Sequence, residues 1–345
     1  MFYIRVDANE IIGMGHIMRC LSIAQEMQRW GEDVIFVVAD QKPLEILQKR
    51  GFSAVCLHSR WNNLDTELDT LVGIVRRNNV GRILIDSYYI TENYLKTLQK
   101  YAEITYLDDL DSFLYPVDRL INYNIYAETL NYNERYQREN IKTEFALGCL
   151  YAPLRTEFSG ISYTTEEDVT KIIITSGGTD HYDATDCILQ MLLGFEWFAD
   201  IKCYVIVGKF NENRRKLQEH WGMLPNVELL FDVQNMAGLM AQCDIAVTAG
   251  GVTIYELMAC GIPSVVYTLA DNQYATAEYI SRKGLMPWVG DIRKDREICM
   301  RKMAECLDEL YKNRCKRQEI SRFMQKFVDG KGCKRLAAWL LKKAR

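Results

Sequence analysis

No CxxC pair occurs among the 11 cysteines, and their spacing is irregular. That pattern argues against a secreted disulfide framework and against a structural zinc site. Cys56, Cys149 and Cys203 lie among apolar residues instead, as small buried hydrophobes of a reducing compartment do. Charge of one sign is also lacking. The net charge is −4, so no strong field favours nucleic acid or an anionic membrane. Only the stretch 293–345 is locally basic, and it reads as a solvated helix face. No apolar run is long enough to cross a bilayer. The first apolar run, Phe2–Val6, reads as a strand and not as part of a signal peptide. No short-period repeat or low-complexity segment occurs. These absences lead us to expect a cytoplasmic protein with no nucleic-acid partner and no membrane insertion, and a monomer.

What remains is an ordinary globular balance, with 48% hydrophobic and 26% charged residues in a chain of 345. That length suits two domains, each able to bury a core of its own. Short β-branched runs alternate with helical patterns. Phe2–Val6, Val34–Val38, 82–85 and 104–107 read as buried parallel strands. Residues 16–30, 64–78 and 92–100 carry the spacing of amphipathic helices between them. From 121 to 167 the pattern breaks, 146–151 reads as a strand at the end of the first domain, and 160–168 reads as a polar linker. A second series then starts at Lys171, with strands at 172–175, 203–207, 227–230, 245–248 and 264–267. The expected fold class is α/β: two doubly wound, Rossmann-like parallel-sheet domains facing a cleft. We expect a first domain over 1–158, a second over 168–290, and a helical extension over 291–345.

In open parallel sheets, ligands bind outside the carboxyl ends of the strands, so the loops there hold the candidate chemistry. After the first strand comes Asp7-Ala-Asn-Glu-Ile-Ile-Gly13-Met-Gly15-His16 and then a helix. Gly13 and Gly15 let the backbone approach a ligand closely. The helix N-terminus suits a phosphate or a developing anion. His16 stands at that end, where an imidazole can serve as a general base. Arg5, Asp7 and Arg19 flank the loop, and Arg5 is a candidate sugar contact. Asp7 is read as orienting His16, binding a sugar hydroxyl, or bracing the loop. Asp86, Ser87 and Tyr88 follow the third of these strands, and Asp108 and Asp109 follow the fourth. Asp86 and Tyr88 are candidate sugar contacts. Paired carboxylates can also serve a metal or acid–base work, and the plain reading of Asp108 and Asp109 is helix capping or loop bracing. No histidine or cysteine clusters with them, so no metal and no cofactor is expected.

The second half has two glycine loops between strand and helix. Ser176-Gly177-Gly178-Thr179 offers backbone N–H groups and hydroxyls to a diphosphate. The Walker lysine is absent, which excludes a P-loop NTPase. Thr248-Ala-Gly250-Gly251-Val-Thr253-Ile-Tyr-Glu256 is the strongest local signal. Its glycines admit a phosphate, and Glu256, one turn into the helix, can accept the two hydroxyls of a ribose. Thr253 and Glu256 also have the spacing of a capping box. Asn272 and Gln273 sit in a further strand-to-helix loop, within reach of a sugar or its phosphates.

These residues resemble a known family. Arg5-Val-Asp7, Gly13-Met-Gly15-His16-Ile-Met-Arg19-Cys20, Asp108-Asp109-Leu110, Asn122-Tyr-Asn124 and Ser176-Gly-Gly-Thr-Asp180 occur here in one order. So does Gly148…Tyr151-Ala-Pro-Leu-Arg155-Thr-Glu157-Phe158. Together they resemble the UDP-2,4-diacetamido-2,4,6-trideoxy-β-L-altropyranose hydrolases of pseudaminic-acid synthesis and their spore-coat polysaccharide relatives. The stretch 250–256 with Asn272-Gln273 is similar to the nucleotide-binding half of MurG-type glycosyltransferases of the GT-B fold. The resemblance implies a UDP-sugar substrate whose UDP is held mainly by the second domain, and a catalytic base at His16. It implies inverting hydrolysis at the anomeric carbon in a surface-glycan pathway. The other readings are a GT-B glycosyltransferase using the same donor, a UDP-sugar 2-epimerase, and a non-catalytic binder. His181 stands where family members often carry proline.

Overall fold

The structure is a computed structural model and describes residues 1–208 and 211–342. Residues 343–345 of the basic tail therefore lie outside the described residues. The chain divides into two compact units, one formed by residues 1–156 and 331–345, the other by 157–330.

Unit 1 alternates strand and helix as β1 (Phe2–Val6), α1 (Gly15–Arg29), β2 (Val34–Val38), α2 (Leu44–Lys49) and β3 (Ser53–Cys56). It continues as α3 (Leu68–Arg77), β4 (Arg82–Asp86), α4 (Glu92–Gln99), β5 (Glu103–Leu107), β6 (Arg119–Asn122), α5 (Tyr132–Arg138) and β7 (Glu144–Leu147). The seven strands pair in parallel in the order β3-β2-β1-β4-β5-β6-β7. β1 is buried along its whole length, as expected of a strand with helices on both faces of its sheet.

Unit 2 contains β8 (Lys171–Thr175), α6 (Ala184–Leu192), β9 (Lys202–Val207), α7 (Arg214–Trp221), β10 (Val227–Phe231), α8 (Met236–Met240) and β11 (Ile245–Ala249). Then come α9 (Thr253–Cys260), β12 (Ser264–Thr268), α10 (Tyr274–Arg282), β13 (Trp288–Asp291), α11 (Arg296–Lys312) and α12 (Arg314–Phe327). Its six strands are also parallel, in the order β10-β9-β8-β11-β12-β13.

The last helix, α13 (Gly332–Leu341), packs against α1 of unit 1, whereas α11 and α12 stay with unit 2. The stretch read as one helical extension is thus shared between the units. Buried Arg119 of β6 is the clasp. Its guanidinium donates to the carbonyls of Trp339, Leu340 and Lys342 at 3.0, 3.1 and 2.6 Å, and Arg82 donates to Leu340 at 2.9 Å. Cations at the orphan carbonyls of a helix end satisfy them and oppose the negative end of the dipole. Arg119→Met should therefore cost roughly 2–4 kcal/mol, because it strips a buried charged donor from several carbonyls at once. Urea unfolding of the variant against wild type measures this.

Other differences are local. Residues 121–167, read as a break in the pattern, take in the end of the buried strand β6 together with α5 and β7. The run read as a strand over 146–151 is split, since β7 ends at Leu147 and a 3-10 helix covers Cys149–Tyr151. Gly148 between them has φ +90°, a conformation that ends a strand and that side-chain-bearing residues rarely adopt. No described helix is long and apolar enough to cross a membrane.

Candidate functional site

The strand order of unit 1 reverses direction between β1 and β4, and that of unit 2 between β8 and β11. At such a switch point the loops after two adjacent strands run to opposite faces of the sheet and leave a crevice. His16 stands in the first turn of the helix that follows β1, and Asp86 is the last residue of β4. The loops after β8 and β11 carry the two glycine segments, 176–180 and 250–252. All four segments singled out in the sequence therefore sit where a doubly wound sheet binds its ligands.

The loop before α1 is shaped by Asn9. Its side-chain oxygen accepts from the backbone N–H groups of Ile11 and Ile12 at 2.9 and 3.0 Å, and its carbonyl accepts from Gly13 N–H at 2.8 Å. Gly13 has φ +73°, so a side chain there would be strained. The chain then enters α1 with Met14 at the N-cap and no side-chain cap. No acid stands in the first turn, so the positive end of the dipole is left for something else.

His16 is buried, and its ring is held tightly. Nδ1 lies 2.6 Å from Asp86 Oδ1 at the end of β4. Arg19, one turn further along α1, grips the same carboxylate through Nε and Nη2, both at 2.6 Å. The Cys20 thiol also points at Asp86, at 3.5 Å. Burial alone would push the Asp86 carboxyl up, but the Arg19 guanidinium and the His16 ring outweigh it and hold the group well below the usual carboxylate range. An unprotonated carboxylate at 2.6 Å requires a donor, so we assign the ring proton to Nδ1. Nε2 then carries the lone pair, and none of the hydrogen bonds among the described residues uses it. This is the arrangement of a general base fixed in one tautomer. Arg19 extends the network to Asp109 at 2.6 Å and to the Tyr123 hydroxyl at 2.7 Å. Tyr88 meets the His16 ring edge-on, with centroids 4.4 Å apart. A small pocket opens over the ring, lined by Asp7, Ile12, His16, Trp61, Asp86, Ser87, Tyr88 and Tyr89.

Some residues expected at the site lie beneath it. Arg5 is fully buried. Its guanidinium is bidentate to Glu67 at 2.5 and 2.9 Å and reaches Asp7 at 2.6 Å, so no donor faces a ligand. We therefore correct its expected role from sugar contact to buried brace. Asp7 accepts from Arg5 and from Ala39 N–H at 2.7 Å; it lines the pocket, but Asp86 and not Asp7 holds the imidazole. Asp108 is likewise spent, on the Tyr115 and Tyr132 hydroxyls and on backbone N–H groups of its own loop.

In unit 2, the Ser176 hydroxyl is buried between those of Thr185, at 2.7 Å, and Tyr267, at 2.6 Å. Accepting from Tyr267 and sharing a hydrogen bond with Thr185, this hydroxyl is engaged inside the unit, and we assign it a packing role in place of the expected diphosphate contact. Asp180 occupies the start of α6, accepting from the N–H groups of Ala184 and Thr185 at 2.9 and 3.1 Å. An internal carboxylate thus already fills this helix terminus. Gly177 and Gly178 remain exposed, and Thr179 is half-buried. A Cβ on Gly208, at the end of β9, would fall 2.4 Å from the carbonyls of Gly177 and Gly178. Gly208 therefore has to be glycine for the loop to sit where it does. Sequence reasoning missed it because that close approach crosses between strands.

The loop after β11 is different. α9 begins with Val252 at its N-cap and no side-chain cap. Thr253 is already the first helical residue, so the capping box, the alternative reading of Thr253 and Glu256, does not form. Gly251 faces open space, whereas Gly250 is closely packed: a Cβ there would meet Gln273 Cβ at 3.1 Å and Thr268 Cγ2 at 3.2 Å. Glu256 is half-buried in the first turn of α9. Gln273 uses its side-chain oxygen to accept from Leu269 N–H at 2.8 Å, which shapes the loop after β12, and Asn272 beside it is exposed. Among the described residues no group of three or more His, Cys, Asp or Glu side chains is placed to hold a metal ion.

Two parallel-sheet Rossmann-like units with these glycine loops make the chain a protein of the GT-B fold. The structure of MurG from Acinetobacter baumannii superposes with a TM-score of 0.71, at 12% identity, over 99% of each chain. Residues 172–332 match the glycosyltransferase family 28 C-terminal domain. In sequence, the chain is similar to the UDP-2,4-diacetamido-2,4,6-trideoxy-β-L-altropyranose hydrolase of Campylobacter jejuni. The identity is 25%, covering 81% of this chain and 96% of that protein. It is also similar to the spore coat polysaccharide biosynthesis protein SpsG of Bacillus subtilis, at 26% identity over 52% of each. Two of the curated relatives are thus matched over only about half of their own length, 54% and 52%.

Proposed function

We propose that this chain is a nucleotide-sugar enzyme that hydrolyses a UDP-activated, N-acetylated deoxyhexose at the anomeric C–O bond and inverts its configuration. The observation that carries the reading is the His16–Asp86–Arg19 arrangement at the switch point of unit 1, with His16 among the residues that line an aromatic-walled pocket. Asp86 fixes the tautomer of the ring, and Arg19 fixes Asp86. Nε2 takes a proton from water as the water oxygen bonds to the anomeric carbon. The bond from that carbon to the diphosphate oxygen breaks at the same centre, and UDP leaves with the electron pair. The similarity to the Campylobacter hydrolase supports the sugar class, and the similarity to the spore coat polysaccharide biosynthesis protein supports a place in surface-glycan synthesis.

In this reading UDP is held by unit 2. Asp180 already fills the start of α6, whereas α9 has no side-chain cap and an open Gly251 in front of it. The diphosphate therefore goes chiefly to the start of α9, at Gly250, Gly251 and Thr253. The N–H groups of Gly250 and Gly251 already donate to the Tyr267 and Ala249 carbonyls at 2.8 Å, so the part of Gly251 is to leave room for the phosphate in front of the helix. Backbone N–H groups of Gly177, Gly178 and Thr179 are secondary partners, and Glu256 accepts the ribose hydroxyls. The developing charge on UDP is met by N–H groups and a helix dipole already in place. Glu256→Ala should weaken UDP binding about 10- to 100-fold, the usual worth of a hydrogen-bonded charged acceptor. Calorimetry with UDP alone measures it, and a change below twofold would remove Glu256 from the site.

A glycosyltransferase with the same base is the second reading, favoured by the family 28 match and the likeness to MurG. Incubating the protein with UDP-sugar and no acceptor separates the two. A hydrolase releases UDP and a reducing sugar, a transferase leaves the donor intact, and an epimerase returns an altered UDP-sugar.

A further inference from the structure

Two aromatic side chains beside His16 have no part in the proton chemistry. Trp61 and Tyr89 meet edge to face, with centroids 5.3 Å apart, and both line the pocket over the imidazole. Tyr89 is 41% exposed, so the sheet core does not explain its position.

The loops that carry them are nevertheless braced from several sides. Ser59, at the start of the Trp61 loop, donates to Glu67 Oε2 at 2.5 Å and so closes that loop on itself. Glu67 is in turn locked by Arg5 and by the Tyr94 hydroxyl at 2.8 Å. Asn63 N–H donates to the Arg60 carbonyl at 3.0 Å, which sets the turn that presents Trp61. Asp65 then ties the two loops together, accepting from the Thr91 hydroxyl at 2.9 Å and from the Asn93 amide at 3.2 Å. Tyr89 N–H donates to the Ser87 hydroxyl at 3.2 Å. A fully buried arginine, two acids and a tyrosine thus serve to hold a pair of aromatic rings in the lining of a pocket. Pre-ordered aromatic rings give a ligand a large apolar contact at low entropic cost.

We propose that Trp61 and Tyr89 determine which sugar is accepted. They form an apolar wall beside His16 against which a deoxy carbon or an acyl methyl of the sugar packs. A fully hydroxylated hexose would bury hydroxyls against those rings without hydrogen bonds, so it is disfavoured. The inference rests on the nucleotide-sugar reading of the same pocket.

The test is competition calorimetry in the His16→Ala background, where the ligands stay intact. The probes are UDP, UDP-glucose and UDP-2,4-diacetamido-2,4,6-trideoxyhexose. With Trp61 present, the acylated deoxy sugar nucleotide should bind at least about tenfold tighter than UDP-glucose, the discrimination that one or two buried methyl groups provide. Adding Trp61→Ala should cut that ratio to within about threefold while leaving UDP unchanged, and Trp61→Phe should keep an intermediate ratio. Tyr89→Ala should act in the same direction. A ratio that survives both alanine variants, or one near unity with Trp61 present, overturns the proposal. If the ratio collapses as expected but the wild-type protein releases UDP from neither sugar nucleotide, the wall stands and the hydrolase reading fails. If UDP is released but the ratio is indifferent to Trp61, the reverse holds. Failure of both sugar nucleotides to bind overturns both.

Discussion

His16→Ala is expected to lose turnover by about 10²- to 10⁴-fold, the usual contribution of a positioned general base, while its affinity for UDP stays within about twofold. The separation follows from where the groups lie. His16 belongs to unit 1, and the loops proposed for the diphosphate belong to unit 2. Truncating a buried ring against Asp86 also leaves a small void, so a thermal melt should accompany the kinetics. His16→Gln keeps much of the volume without a basic nitrogen and should be as inactive as the alanine variant. Near wild-type release of UDP by either variant would remove the imidazole from the chemistry.

Asp86→Asn should be nearly as damaging, with a loss of roughly 10²- to 10⁴-fold, although it barely changes shape. The physical cause is the tautomer. An amide can present its NH₂ to Nδ1, which moves the ring proton to Nε2, where it cannot accept a proton from water. The variant also withdraws the carboxylate from Arg19, whose Nε and Nη2 donate to it at 2.6 Å. A stability difference should therefore accompany the kinetic one, with a defined pH dependence. The Asp86 carboxyl is held well below the usual range, chiefly by Arg19 and His16 acting against burial. A depressed pKa contributes stability that is complete above the unfolded value of about 4 and is lost as pH falls below it. Wild type should thus exceed Asp86→Asn in urea resistance at pH 7, and the gap should narrow steadily below about pH 4. A gap that widens on acidification would contradict the assigned charge state.

Much of this site was legible in the sequence, and the part that was not shares one cause. Gly13, Gly15 and His16 could be read because a strand, a glycine turn and a helix start are local features. The Gly250–Gly251 loop was legible for the same reason. The partner of His16 was not. Asp86 was seen as a strand-end acid, but its pairing with a residue 70 positions away depends on β4 lying beside β1, and pairing order is not a local property. Arg5 was misread for the complementary reason. On a strand buried on both faces, a charged residue next to the site points into the core as readily as out of it. Its acidic partner Glu67, 62 residues away, carries no signal in the sequence. Ser176 looked like a phosphate ligand until Thr185 and Tyr267 took its hydroxyl. β6, with the sequence Arg-Leu-Ile-Asn, is too short and too polar at its ends to stand out. Helical periodicity identified the C-terminal helices without indicating that α13 would leave α12 and cap its last carbonyls with Arg119.

The central claim is that water, activated by His16, attacks the sugar carbon and not the phosphorus. Hydrolysis of the UDP-activated sugar in ¹⁸O-labelled water, with both products analysed by mass spectrometry and the fresh anomer by NMR, tests it most directly. The account predicts the label in the free sugar, unlabelled UDP, and an initial anomer of inverted configuration. Label in UDP, retained configuration, or no UDP released without an added acceptor would contradict it.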